Sequence, residues 1–139
     1  RSDAWLLFYS ANWYEGPNYA IGYARCEGPL GPCKKAEAPL LKSFGGRLGP
    51  GGAEVFTDLA GRLKLAFHAW TAPNTTYARG GARSLRFASL DVDADGEVKV
   101  GDVADASEPE LGAACAASAR AKAASKRVAG AGAAALMKP

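Results

Sequence analysis

Residues 49–70, GPGGAEVFTDLAGRLKLAFHAW, set the tightest limit on what this chain can become. A glycine-proline turn leads into a short strand over Glu54–Asp58, a tight Leu59-Ala60-Gly61 turn, and a second strand over Arg62–Trp70. Two short β-prone runs around a glycine turn read as a hairpin. The second strand carries the chain's single histidine, His68, between Phe67 and Ala69. An ionisable ring on an apolar strand is either a hydrogen-bonded core residue or a group that faces a site.

The segments around this hairpin have the same character. Residues 4–11 (AWLLFYSA) form an apolar, aromatic strand, and residues 12–18 (NWYEGPN) a turn-forming loop with exposed aromatics. Over 19–25, Tyr19, Ile21 and Tyr23 fall on one face and Ala20, Gly22 and Ala24 on the other. That second face admits only small residues, as when another backbone or ring lies close. Pro39–Lys42 is expected as a short outer strand, Gly45–Gly52 as a linker, and 71–82 as a loop. Residues 83–92 alternate, with Leu85 and Phe87 on one side; Asp93–Gly96 is a turn and Val98 and Val100 mark a last strand. DVDADGEV lacks the twelfth-position glutamate and helical flanks of an EF-hand, so it reads as an ordinary acidic turn.

The composition changes at Ala104. Residues 110–136 are mostly alanine with Lys, Arg and Ser, which suits a frayed helix or a disordered tail. The chain therefore divides at 1–103 and 104–139. The first part repeats a unit of about 45 residues (strand, turn, strand, loop, short strand), a period that suggests propeller blades. The expected fold is all-β, with antiparallel four-stranded blades and an Ala-rich C-terminal tail. Two blades cannot close a ring, and their open edges would leave backbone unpaired.

A net charge of +3 on 139 residues, without a clustered basic stripe, makes nucleic acid a poor partner. No apolar run is long enough for a membrane span. The chain opens at Arg1 with neither a leader pattern nor a methionine, which reads as a processed or truncated product. Cys26 and Cys33 bracket a Gly/Pro loop, CEGPLGPC. The spacing favours a disulfide over free thiols or half of a metal site, because a metal needs more Cys or His ligands than the chain offers. Cys115 is left over in the tail, and Asn74-Thr75-Thr76 is a glycosylation sequon.

Five stretches, WLLFYSANWYEGPNYAIGYARCEGPLGPC at 5–33, PLL at 39–41, GPGGAEVFTD at 49–58, GRLKLAFHAW at 61–70 and GGARSLRFASLDVDADGEV at 80–98, together resemble the C-terminal portion of glycoside hydrolase family 43. These are the five-bladed propeller arabinanases and xylosidases. The resemblance implies that the chain holds the last two, incomplete blades. It implies inverting hydrolysis of arabinose- or xylose-containing glycans, in a secreted protein. The base aspartate, the tuning aspartate and the acid glutamate of the family would all lie upstream of Arg1. Glu15-Gly16-Pro17 falls in a later loop and does not take the acid's role. No catalytic residue is therefore expected in this chain, and alone it should be inactive.

The resemblance places two residues at the family's sugar-binding end. His68 aligns with a histidine near the propeller axis, beneath the sugar, that helps hold a central cation (calcium or sodium), mostly through water. Arg83 aligns with an arginine that forks onto sugar hydroxyls or pairs with an active-site carboxylate. Trp13, Tyr14 and Trp70 are candidate stacking platforms for sugar rings. Many members carry a histidine where this chain has Gly52, and Lys64 and Arg86 put charge on strands that are often apolar. The expected partners are an oligosaccharide or polysaccharide and an N-terminal propeller segment or partner chain. The alternative is a non-catalytic structural or carbohydrate-binding module within a larger assembly.

Overall fold

The computed structural model describes residues 5–105. They form two antiparallel sheets. The first contains β1 (Trp5–Ala11), β2 (Ala20–Cys26) and β3 (Cys33–Lys35). The second contains β4 (Arg47–Thr57), β5 (Leu63–Thr71), β6 (Arg83–Val92) and β7 (Val98–Asp105). In both sheets the strands lie side by side in chain order.

Alternation decides what each strand buries. On β5, Leu65, Phe67 and Ala69 are fully buried. They join Ala88 and Leu90 of β6, Val98 of β7, and Ile21 and Tyr23 of β2 in one hydrophobic core shared by the two sheets. The Val98 amide donates to the Tyr23 hydroxyl at 3.4 Å, and Arg25 pairs with Glu97 at 2.5 Å, so β2 and the β6–β7 end of the second sheet meet through polar contacts too. The intervening residues Lys64, Ala66, His68 and Trp70 point to the opposite side of β5. On the first sheet, Trp5 and Leu7 remain more than half exposed. The small-residue face of β2 is covered by Tyr9, whose ring would lie 2.6 Å from a Cβ placed on Gly22.

The all-β expectation holds, but the two sheets are unequal. The first has three strands, not four, and Pro39–Lys42 is not one of them. Leu41 makes a single two-bond bridge to Ile21, at 3.0 and 3.1 Å. Pro39 has no amide to donate, which interrupts a ladder at that point. The third strand is instead the polar run Cys33–Lys35, whose register pairs Cys33 with Cys26. Those two sulfurs are bonded, so the Gly/Pro loop is the closed end of a cross-linked hairpin.

The expected Gly45–Gly52 linker also proves to be largely strand. β4 begins at Arg47 and runs through the glycines, with register shifts between Leu48 and Gly51 and between Gly51 and Glu54. Gly49 (φ 54°) and Gly52 (φ 64°) adopt the left-handed backbone that such bulges use. The Ala-rich tail and Cys115 lie outside the described residues.

Candidate functional site

The bulged part of β4 is where the loop between β1 and β2 crosses the second sheet. A Cβ on Gly49 would sit 2.4 Å from the Gly16 carbonyl, and one on Gly51 would sit 2.0 Å from the Tyr19 ring. Only glycines let the loop lie this close. Ser43 fixes the crossing: its hydroxyl donates to the Pro17 carbonyl at 2.5 Å and accepts from the Gly49 amide at 2.9 Å. The Gly52 amide in turn donates to Ser10 Oγ at 2.9 Å.

His68 and Arg83 meet beneath this loop. Arg83 opens β6 opposite Trp70, and His68 lies opposite Leu85. The Arg83 Nε donates to His68 Nδ1, and Nη2 donates to the His68 carbonyl at 3.2 Å. The guanidinium carbon lies 5.4 Å from the Tyr19 ring centre and 5.3 Å from that of Trp70, so two aromatic rings share one cation. Arg83 Nη1 is sealed from solvent and has no acceptor among the described residues. Burial first, and the Arg83 charge second, hold the His68 imidazole below its ordinary value. Burial also pulls the Arg83 guanidinium down, against a smaller opposing pull from Tyr19 and Tyr77.

The aromatic candidates divide. Trp70 is fully buried; its Nε1 donates to the Tyr14 carbonyl at 2.8 Å, and Tyr77 packs edge-on at 4.7 Å. It has no open face for a sugar ring and serves as the floor under Arg83. Trp13 is 68% exposed and leans on Tyr14, with ring centres 5.2 Å apart. These two rings present open aromatic surface beside the buried cluster. Glu15 reaches the same end of the sheet, where its Oε1 accepts from Thr76 Oγ1 at 3.5 Å.

Tyr19 is the residue that the sequence does not mark as part of the site. It alternates with Ile21 and Tyr23 and so reads as core. Its signal is indirect: the empty position at Gly51, which its ring fills. The His68 Nδ1 lone pair is occupied by a guanidinium, and no group of three or more His, Cys, Asp or Glu side chains gathers anywhere among the described residues.

Comparison with solved structures finds the chain similar to carbohydrate-active proteins. An endo-1,4-beta-xylanase from Bacteroides thetaiotaomicron is 31% identical over 74% of this chain, with a TM-score of 0.65. A thermostable family-43 glycoside hydrolase is 32% identical over 78% of this chain, with a TM-score of 0.66. The chain is similar, at the level of family, to the family-43 glycosidases. It spans 35% of the length of each of these two structures. No family model and no curated protein matches it.

Proposed function

We propose that this chain is the C-terminal part of a family-43-like propeller glycosidase that acts on arabinose- or xylose-containing glycans by inversion. The carrying observation is the extent of the similarity, about three quarters of this chain against about one third of each relative. The open Trp5 and Leu7 side chains on β1 support it, because an apolar sheet face of this kind suits a further sheet packed on it. In this reading the remaining sectors provide the general acid and base, which inverting hydrolysis needs roughly 6.5–9.5 Å apart. This chain supplies a wall of the sugar site: Arg83, held flat by Tyr19 and Trp70, with Trp13 and Tyr14 beside it. The Cys26–Cys33 disulfide supports an oxidising, extracellular setting.

The test is complementation. The 139-residue chain alone should release no aryl group from an aryl xyloside or arabinoside. A fragment supplying the remaining propeller sectors should restore release. Turnover by this chain alone, or no turnover in any pairing with such a fragment, would count against the glycosidase reading. The exposed Trp13 favours a second reading, a carbohydrate-binding module without catalysis. That reading expects saturable binding of xylo- or arabino-oligosaccharide with no turnover in any pairing.

A further inference from the structure

Two loops meet at one end of the sheets. The loop between β1 and β2 carries Trp13, Tyr14 and Glu15, and the loop between β5 and β6 carries Thr76 and Tyr77. They are joined by the Trp70 indole on the Tyr14 carbonyl, by Thr76 Oγ1 donating to Glu15 Oε1 at 3.5 Å, and by the Tyr77 ring edge-on to Trp70. Both loops are shaped in advance. Asn12 Nδ2 donates to the Asn18 carbonyl at 2.7 Å, and the Gly16 amide to the Trp13 carbonyl at 3.1 Å. Tyr77 opens a 3₁₀ turn, Tyr77–Arg79, that is capped at both ends: Thr76 Oγ1 accepts from the Ala78 amide, and the Gly80 amide donates to the Tyr77 carbonyl. A ligand that meets these loops has little disorder to remove.

The loops display open aromatic rings around one carboxylate. Trp13 and Tyr77 are both more than 60% exposed and Tyr14 is partly open, whereas Trp70 beneath them is sealed. Glu15 is half-buried among them. Its charge, ahead of burial, holds the Tyr14 phenol above its ordinary value, and Tyr77 acts in the same direction. The carboxylate and both phenols are therefore within reach of one another. An ionised carboxylate accepts at both oxygens, and the long Thr76 contact leaves sites for donors from outside. Adjacent ring hydroxyls of a sugar supply such donors, and its C–H face suits an open aromatic ring.

We propose that Glu15 and Tyr77, together with Trp13 and Tyr14, form a subsite for one neutral sugar ring: Glu15 accepts from adjacent hydroxyls and Tyr77 supplies a stacking face. This deepens the carbohydrate reading above and rests on it. The Glu15 charge repels a sugar acid. Rings around a carboxylate also suit an organic cation, but the enclosed Arg83 guanidinium opposes one; it lies close enough for Tyr77 to act on its charge.

The test uses methyl xyloside, methyl glucoside and methyl glucuronide, which share a ring and differ only in the group on one carbon: hydrogen, hydroxymethyl or carboxylate. The subsite lies wholly within this chain, so the 139-residue chain should bind without other sectors. In the 15N-labelled chain, the xyloside and the glucoside should shift the Trp13 indole signal saturably and leave that of Trp5, at the far end of β1, in place. Methyl glucuronide and choline chloride at matched ionic strength should shift neither. Tyr77→Ala should weaken xyloside binding several-fold, and Tyr77→Phe should keep it. Glu15→Gln should weaken the xyloside yet strengthen the glucuronide, a reversal that mere loosening of the loop would not produce. No xyloside response in the parent chain, an unchanged affinity in Tyr77→Ala, or glucuronide bound as well as xyloside overturns the subsite. A choline response marks a cation cage and overturns it as well. Turnover restored by complementation without a xyloside response here sinks the subsite and leaves the glycosidase reading standing; the opposite pair of results sinks that reading and leaves the subsite in a non-catalytic module.

Discussion

Trp70 on β5 and Tyr14 in the loop after β1 are joined by an indole-to-carbonyl hydrogen bond of 2.8 Å, and this bond ties one sheet to the loop of the other. The indole is sealed, while Tyr14 is partly open to solvent. Replacing Trp70 with Phe keeps an aromatic floor under Arg83 but leaves the Tyr14 carbonyl without its donor. The expected loss of folding stability is about 1–3 kcal/mol, read from denaturant unfolding. A change indistinguishable from zero would mean that the carbonyl finds another partner.

Gly51→Ala puts a methyl group where the Tyr19 ring lies. The ring must leave, and Arg83 loses one of its two aromatic faces. With the guanidinium less firmly held and His68 less buried, the His68 titration should move up toward the ordinary imidazole value. NMR titration of the single ring reads this. An unchanged midpoint would show that Tyr19 does not hold the pair.

The depressed His68 value also fixes a sign for stability against pH. The unfolded ring gains its proton near pH 6.5, about the usual value, while the folded ring stays neutral to lower pH. Below that point the unfolded state binds more protons, so stability should fall as pH drops from about 6.5 through the folded titration, then level off. His68→Asn should remove this component and flatten the curve across that window. A parent curve that rises toward acid in the same window would contradict the burial and charge described for the ring.

The bridge between Cys26 and Cys33 closes a short loop at sequence separation 7. In the chain-entropy account, closing such a loop contributes roughly 2–3 kcal/mol. Reduction, or the double change to serine, should lower stability by that order. It should also raise amide exchange first in Cys33–Lys35, the three-residue strand held at the sheet edge by this link.

Trp13 is exposed and outside the core, so Trp13→Ala should leave the unfolding midpoint within error. If it stacks on sugar, the same change should weaken binding of a xylo- or arabino-oligosaccharide several-fold by calorimetry. Unchanged affinity would remove Trp13 from the site.

Strands rich in alternating apolar and aromatic residues were legible in the sequence. The expected 4–11, 19–25 and 83–92 lie within one residue of β1, β2 and β6, and the 54–58 and 62–70 hairpin lies along β4 and β5. What alternation could not show was structure without apolar content. β3 is Cys-Lys-Lys, held by its disulfide and its register. The first half of β4 is Arg-Leu-Gly-Pro-Gly-Gly, with Gly49 and Gly51 set by the loop that lies against them. The site followed the same rule. His68 and Arg83 stood out through the family resemblance, yet nothing in the spacing says that the arginine occupies the histidine's lone pair. Trp70, a candidate stacking platform, is closed, because Tyr14, Tyr77 and Arg83 come to it from loops and strands distant in the chain.

Each sheet is a meander in which every strand pairs with its immediate neighbour along the chain. No ladder has to wait for a distant segment to be made. During synthesis the three-stranded sheet can close before the four-stranded one emerges, and the second can then assemble against a finished template. Slow steps in maturation should therefore lie in joining the two sheets and in covering the Trp5–Leu7 surface, not in forming the strands.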